Sequence, residues 1–225
     1  MTIKDISSSE KEMLKSVLRI KKSYEDISKI SYENYSKKDT AIIFIDMIIG
    51  FTKKGPLSSK RSNKIIDPIK KLDKKTLDYR KIYFKDAHDD ESLEFDTYPE
   101  HCLEDSEESK ILDFLDYKNE NSKVIKKNSI NGFLVDDFQK WLKNNKDLKN
   151  FIIVGLVSDI CIMNFALTLK AYFNQNNFKK DVIVLSDCVE TFELEATNHN
   201  AELMNNFAFY TMEMNGIKIM RGWYG

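Results

Sequence analysis

The sequence predicts a single α/β domain in which a mostly parallel, six-stranded sheet carries helices on both faces. From residue 40 onward, short β-rich apolar runs alternate with helical patterns, which is the order of βαβ units. The runs are nearly continuous, as expected for strands that are buried on both faces. The 225 residues are 42% hydrophobic and contain no linker, repeat or low-complexity segment, so we expect one main core with Rossmann-like layering.

Six apolar runs are the predicted strands, and amphipathic patterns between them are the predicted helices. The predicted strands cover residues 41–45, 81–84, 123–125, 151–154, 182–185 and 207–210. The predicted helices cover residues 62–77, 107–116, 133–146, 161–175 and 193–205. Residues 1–38 fit one or two amphipathic helices, so we predict an N-terminal helical extension followed by a domain over residues 39–225.

Charge and cysteine content narrow the function classes. With 35 basic and 36 acidic residues, the chain has no broad positive field for nucleic acid. No window reaches the ~18 uninterrupted apolar residues of a membrane span, and no signal-peptide core follows Met1. Three cysteines are an odd, sparse count that favours reduced thiols and a cytoplasmic location. Trp223 and Tyr224, near one terminus, favour a homo-oligomer.

Reactive side chains follow four of the predicted strands at the point where each strand ends. Asp46 ends the first strand, Asp86 and His88 follow the second, Lys127 follows the third, and Cys161 follows the fourth. Ligands of open parallel sheets bind beyond the carboxyl ends of the strands. The sequence therefore predicts one site in which these side chains meet.

Cys161 is the candidate nucleophile. It lies where a helix begins, and the free N–H groups and positive dipole of a first turn stabilise a thiolate and an oxyanion. Ser158 or Asp159 is the predicted cap of that helix. The alternative is a buried structural cysteine. Cys188 and Cys102 are more typical of buried thiols, although Cys102 could be a metal ligand.

Asp46 is the candidate general base, because a carboxylate at the end of an apolar strand needs a partner. Lys127 could be that partner, and its charge would favour both the carboxylate and the thiolate of Cys161. The alternatives are an Asx turn at Asp46 and a surface lysine at Lys127. His199 is predicted to be structural or exposed to solvent.

These residues lie in three segments that resemble the motifs of isochorismatase-like cysteine hydrolases, over about residues 40–220. The family motifs are an Asp with an aromatic residue five positions on, a Lys with Phe six positions on, and Gly-x-x-Thr-Asp-x-Cys. The matching segments are IDMIIGF (45–51), KNSINGF (127–133) and GLVSDIC (155–161). Order, spacing and strand placement agree, and within this family the chain is most similar to nicotinamidases.

The segment FKDAHDDESLEFDTYPEHC (84–102) separates the subfamilies. By its chemistry alone it is either an acidic surface loop or a site for Zn²⁺, Fe²⁺ or Mn²⁺ with open coordination positions. Nicotinamidases carry Asp-x-His followed by a His-Cys pair. The resemblance implies one divalent metal ion, with Zn²⁺ as the first choice, held by Asp86, His88 and His101, with Glu94 as a direct or water-mediated ligand.

The resemblance also implies a mechanism, in which Asp46 accepts the proton of Cys161 and the sulfur attacks a carboxamide carbon. Backbone N–H groups of Val157 and Cys161 would hold the oxyanion, beside a cis peptide bond at Leu156–Val157. Lys127 would balance the charges, and water would hydrolyse the thioester. The implied activity is metal-dependent hydrolysis of nicotinamide to nicotinate and ammonia, as in NAD salvage.

The resemblance is weaker for the substrate contacts than for the triad. Phe51 and Tyr98 would wall the substrate ring on its two faces, and the open metal position would take its pyridine nitrogen. Ile49 and Ile130 stand where relatives often carry polar and aromatic residues, respectively. Two alternatives therefore stay open: hydrolysis of another small amide, and a non-catalytic binding protein with the same fold.

Overall fold

One parallel sheet organises the chain and places its reactive residues along one edge. The structure, a computed structural model, describes residues 7–31 and 34–224, and the side chains of Trp223 and Tyr224 lie outside that description. Within these residues the sheet has seven strands in the order β1-β7-β6-β5-β2-β3-β4. They are β1 (Lys29–Ser31), β2 (Thr40–Ile45), β3 (Arg80–Asp86), β4 (Ser122–Lys127), β5 (Asn150–Leu156), β6 (Asp181–Glu190) and β7 (Lys218–Tyr224).

The α/β class and the parallel sheet are confirmed, but the predicted number of six strands is wrong. Residues 207–210, predicted as a strand, lie inside a helix. A run of four apolar residues fits a buried helix as well as a strand, and Phe209 and Met212 face the core at helical spacing. The strand beside β6 is β7, and β1 pairs with β7 at the outer edge.

The described helices are α1 (Ser8–Ser23), α2 (Ile49–Thr52), α3 (Asn63–Lys75), α4 (Asp136–Asn144), α5 (Met163–Gln175) and α6 (Ala201–Met214). Four of the five predicted helices are present, although α6 begins later than predicted. The predicted helix at 107–116 is wrong. This segment crosses the loop after β2, where Ile49 and Gly50 donate backbone hydrogen bonds to its carbonyl oxygens and Leu112 donates one back to Met47. Those tertiary hydrogen bonds replace the bonds of a helix.

The core lies in two layers, one on each face of the sheet. Side chains alternate along β2: Ile43 and Ile45 pack with the layer under α4, α5 and α6, whereas Ile42 and Phe44 pack with the layer under α3. All six residues of β2 are buried, as are six of the seven in β5. Burial on both faces explains the continuous apolar runs of the central strands.

The N-terminal segment contributes one helix and one strand. Helix α1 begins with a capping box, in which Ser7 and Glu10 bond each other's backbone N–H groups. Below it, Tyr24 packs on Phe209 of α6 at 5.6 Å between ring centroids and donates a hydrogen bond to Glu213. Since β1 extends the sheet, this segment is more than helical, while the division at residue 38 stays a prediction. Among the described residues, each helix is too short or too polar to cross a bilayer.

Candidate active site

The carboxyl ends of the central strands bring the predicted triad together. Asp46 directly follows β2, Asp86 ends β3 and Lys127 ends β4, with Asp86 and Lys127 paired in register. The turn after β5 carries Cys161 to the same edge. All four side chains are buried, with at most 5% of the residue exposed.

Lys127 joins the two carboxylates to the thiol. Its Nζ atom lies 2.8 Å from Asp46 Oδ2 and forms a shorter ion pair with Asp86 Oδ1. The same nitrogen lies 3.8 Å from Cys161 Sγ. Lys127 is therefore a buried cation shared by two anions and a thiol, which excludes the alternative of a surface lysine. The pairing with Asp86 was not predicted from the sequence.

Cys161 lies in a single π-helical turn, Ser158–Ile162, which continues into α5. Gly155 enters this turn with φ +124°, where an added Cβ would lie 1.9 Å from the carbonyl oxygen of Ile45. Only glycine fits so close to β2. The Leu156–Val157 peptide bond is cis, as the resemblance implied. The predicted cap is wrong, since the turn has no side-chain cap.

The charges leave the resting site with a protonated thiol. Burial raises the pKa of Cys161 well above its usual value, Lys127 lowers it in part, and the carboxylates of Asp46 and Asp86 raise it further. Burial also raises the pKa of Asp46 to about 7, with the charge of Asp86 adding to the rise and Lys127 opposing it. The thiol therefore needs a base to react, and Asp46 becomes available as that base as the pH rises through neutrality.

Lys127 and Asp86 stay charged. Burial opposes the charge on Lys127, but Asp46 and Asp86 outweigh it and hold the pKa of the lysine well above its usual value. Burial likewise opposes ionisation of Asp86, yet the charges of Lys127 and His88 lower the pKa of this carboxyl. A fixed ion pair thus lies beside a carboxylate that titrates near neutrality.

Three of the four predicted metal ligands form one compact group. Ligand atoms of Asp86, His88 and His101 all lie within 4.8 Å of one another, and all three residues are buried. His88 turns Nδ1 to Asn128 Oδ1 at 3.0 Å, and His101 turns Nδ1 to the carbonyl oxygen of Pro99 at 2.8 Å. Such second partners fix the ring tautomer of metal-binding histidines.

The group fits a divalent cation. His88 Nε2 is buried and has no hydrogen-bond partner among the described residues, which is costly unless an ion or a water occupies the space before it. Two imidazoles and a carboxylate are the ligands that Zn²⁺ and Fe²⁺ accept, with positions left for water or substrate.

Glu94 lies beside this group and outside it. Its Oε2 atom lies 3.8 Å from His88 Nε2, while Oε1 accepts a hydrogen bond of 2.5 Å from the backbone N–H of Ile130. The carboxylate is thus oriented toward His88. Its part in the metal shell stays a prediction.

A narrow cavity opens onto both the thiol and the candidate metal group. Its empty volume is about 430 Å³ with its mouth included, at the small end for ligand sites. Phe51 and Tyr98 line it, with ring centroids 5.8 and 6.2 Å from that of His101, while their contact with a substrate ring stays a prediction. The full lining is Phe51, Leu57, Asp86, Glu94, Tyr98, His101, Ile130, Val157, Ile160, Cys161 and Phe192.

Sequence reasoning missed one residue of the cavity and one contact of the nucleophile turn. Phe192 lines it two residues after β6 ends at Glu190, so the rule applied to charged residues at strand ends would also have found this aromatic residue. His199 was placed on a helix but lies before α6, where it pairs with Asp159 of the nucleophile turn at 2.8 Å. Sequence separation of 40 residues hides that contact.

Comparison with known proteins agrees with this geometry. The isochorismatase domain model matches residues 40–215, which is most of the chain. The chain belongs to the isochorismatase domain family. Membership in that family supports a hydrolase.

Individual relatives of this isochorismatase-family chain include amide hydrolases. Nicotinamidase 1 of Arabidopsis thaliana is 26% identical over 207 residues, covering 80% of this chain and 84% of that protein. The zinc complex of the pyrazinamidase of Pyrococcus horikoshii has a TM-score of 0.66 at 22% identity, covering 81% of this chain and 99% of that one. N-carbamoylsarcosine amidase of Thermoplasma acidophilum also has a TM-score of 0.66, at 20% identity, with 81% and 96% covered. At such identities the two structures establish the fold alone.

Proposed function

We propose that this chain is a metal-dependent nicotinamidase that hydrolyses nicotinamide to nicotinate and ammonia, as a step of NAD salvage in the cytoplasm. The observation that carries the proposal is the common cavity, which is lined by Cys161 of the triad and by Asp86 and His101 of the candidate metal group. A thiol nucleophile and a cation site then act on opposite ends of one small ligand. The nicotinamidase relative supports this substrate.

In this scheme Asp46 takes the proton from Cys161 as the sulfur attacks the carboxamide carbon. Burial raises the pKa of Asp46 to about 7, which makes this carboxylate a stronger base than an ordinary aspartate toward the thiol, whose own pKa is also raised. Lys127 keeps its charge and stabilises the anionic partners on either side of the transfer. Backbone N–H groups of Val157 and Cys161 are the proposed donors to the oxyanion.

The second half of the reaction returns the site to its start. Ammonia leaves with the proton that Asp46 gives back, and a thioester between Cys161 and the acyl group remains. Water then adds to the thioester carbon, with Asp46 accepting its proton and returning one to the departing sulfur. Every proton transfer in the cycle thus uses one carboxylate.

Asp86, His88 and His101 would hold the cation, with Glu94 reaching it directly or through water. When bound, a divalent ion with an open position supplies a Lewis-acid contact for a ring nitrogen and so orients the substrate. Phe51 and Tyr98 confine a flat ring beside the two histidines. The chain's own residues therefore select a small planar amide.

Ammonia release from nicotinamide is the test. We expect release by the wild type supplied with Zn²⁺, Fe²⁺ or Mn²⁺, loss after chelation, and no release by Cys161→Ala. Absence of release by the wild type with all three metals would contradict the proposal. Hydrolysis of other small amides that survives chelation would favour the second candidate, a metal-independent amidohydrolase, which the likeness to N-carbamoylsarcosine amidase keeps in view.

A further inference from the structure

A loop after β6 carries an aromatic residue into the cavity. The loop closes on itself, because Leu194 and His199 exchange backbone hydrogen bonds of 3.0 and 2.9 Å. A short 3₁₀ turn, Glu195–Thr197, forms its tip. Phe192, at the base of the loop, lines the same cavity as Cys161. The loop thus forms one wall of the site.

His199 links this wall to the nucleophile turn. The His199 ring stacks on the ring of Phe192, with centroids 4.1 Å apart and planes at 17°. Its Nδ1 atom lies 2.9 Å from the carbonyl oxygen of Phe192, and its Nε2 atom lies 2.8 Å from Asp159 Oδ2. One imidazole therefore contacts the wall twice and the turn of Cys161 once.

Both ring nitrogens of His199 have a partner within hydrogen-bond distance, one on the wall and one on the nucleophile turn. The side chains of His199 and Asp159 are only 15% and 12% exposed, so the pair is largely shielded from water and salt. The stacked contact with Phe192 adds a packing interaction to these two hydrogen bonds.

We propose that His199 is a positioning residue that holds Phe192 as a specificity-determining wall of the cavity. Phe192 and Ile160 line the cavity together with Cys161, and its volume leaves room for a small ligand of one planar ring. The inference rests on the proposed function only in taking this cavity as the substrate site. It does not depend on nicotinamide being the amide.

The nucleophile turn has a second anchor that makes variants of His199 informative. Ser158 donates a hydrogen bond to Asn205 of α6, and Asn205 donates one of 2.6 Å to Glu190, which is buried. Arg61 adds a side-chain bond of 3.1 Å to the same carboxylate. Loss of His199 therefore leaves the turn attached to α6, and the fold is expected to persist.

The rate of Cys161 alkylation by iodoacetamide tests whether His199 acts on the cavity through Phe192. The assay uses the zinc-loaded full chain and peptide mass spectrometry, so that the buried Cys102 and Cys188 are counted separately. We compare wild type, His199→Ala, Phe192→Ala and the double variant, with Glu195→Ala at the exposed loop tip as the matched control. Circular dichroism confirms that each variant is folded.

If His199 acts through Phe192, each single variant opens the cavity and raises the alkylation rate about fivefold, and the double variant matches the single ones. Glu195→Ala should equal wild type. An unchanged rate in His199→Ala would overturn the proposal. So would a double variant whose effect is the product of the single effects, since independent sites add in free energy.

The separate effects of His199→Ala on KM and on kcat provide the second readout. With nicotinamide, His199→Ala should raise KM about tenfold and change kcat less than about threefold, because a lost wall weakens ground-state and transition-state binding alike. A fall in kcat of about tenfold without a change in KM would overturn the role assigned to His199. If the wild type releases no ammonia, the proposed function fails, whereas the alkylation series still decides whether His199 positions Phe192.

Discussion

Two buried lysine–carboxylate clusters lie at opposite ends of the same sheet. Near the amino end of β3, Lys81 Nζ donates to the Asp73 carbonyl oxygen at 2.9 Å and to Asp73 Oδ1 at 2.6 Å, and Tyr83 also donates to Oδ1. The backbone N–H of Asp116 donates to Oδ2. At the carboxyl end, Lys127 forms the second cluster, with Asp46 and Asp86.

The two clusters differ in how completely their polar atoms are satisfied. Asp73 accepts hydrogen bonds on both oxygens, whereas Asp46 accepts none from the backbone of the described residues. Asp46 also has φ +53°, in the left-handed region that costs energy for a residue with a side chain. Removing one partner of a fully bonded buried ion pair destabilises the fold, while a pair left incomplete beside a cavity is available for chemistry.

The largest expected effect is the loss of the nucleophile. Cys161→Ala should lower ammonia release by at least about 10³-fold, since the covalent step disappears. Cys188→Ala removes an equally buried thiol outside the cavity and should retain most activity. Steady-state ammonia assays at matched protein folding, checked by circular dichroism, compare the two. Equal losses in both variants would remove Cys161 from the mechanism.

Exchanging each buried lysine for methionine tests the comparison itself. Lys127→Met should reduce turnover by about 10²-fold or more, because the charge beside Asp46 and the thiol is lost. Lys81→Met should lower the free energy of unfolding by about 3 kcal/mol and leave the turnover of folded protein unchanged. Urea titrations and ammonia assays on both variants measure the two effects. Loss of turnover in Lys81→Met, with Lys127→Met still active, would reverse the assignment.

Metal removal tests the candidate metal group at the carboxyl ends of the strands. Saturation with Zn²⁺ at a hundredfold excess over Kd should stabilise the fold by about 2.7 kcal/mol, and chelation should remove that gain. His88→Ala should abolish the rise in melting temperature on adding zinc. His199→Ala, the non-ligand histidine, should retain it, and thermal melts with and without chelator measure both. A zinc response that survives in His88→Ala would place the ion elsewhere.

The smallest expected effect is a shift along the pH axis. Asp46 must be ionised to accept the thiol proton, so Cys161 alkylation should increase as pH rises through the raised pKa of Asp46, about 7. A bound cation neutralises Asp86, whose charge is one cause of that rise, so zinc should move the profile to lower pH. Rates measured from about pH 5 to about pH 9, with and without zinc, test this. A zinc-induced shift to higher pH would contradict the assigned role of Asp86.

Much of the fold and of the candidate site was predictable because strong local patterns carry it. Five of the six predicted strands are present, since continuous apolar runs mark strands that are buried on both faces. The helix predicted at 107–116 failed because its backbone bonds to the loop after β2, a partner distant in sequence. Residues 207–210 failed for a similar reason. A short apolar run fits a helix or a strand, and only its tertiary contacts select one of them.

The sequence by itself determined the α/β class, the strand ends that carry Asp46, Asp86, Lys127 and Cys161, and the family to which these motifs belong. Only the tertiary structure decided that Lys127 bridges two carboxylates, that the resting thiol stays protonated, and that His199 reaches the nucleophile turn. The physical reason is the separation of these residues along the chain. Hydrophobic periodicity is a local property of the chain, whereas ion pairs, burial and pKa values depend on groups that only folding brings together.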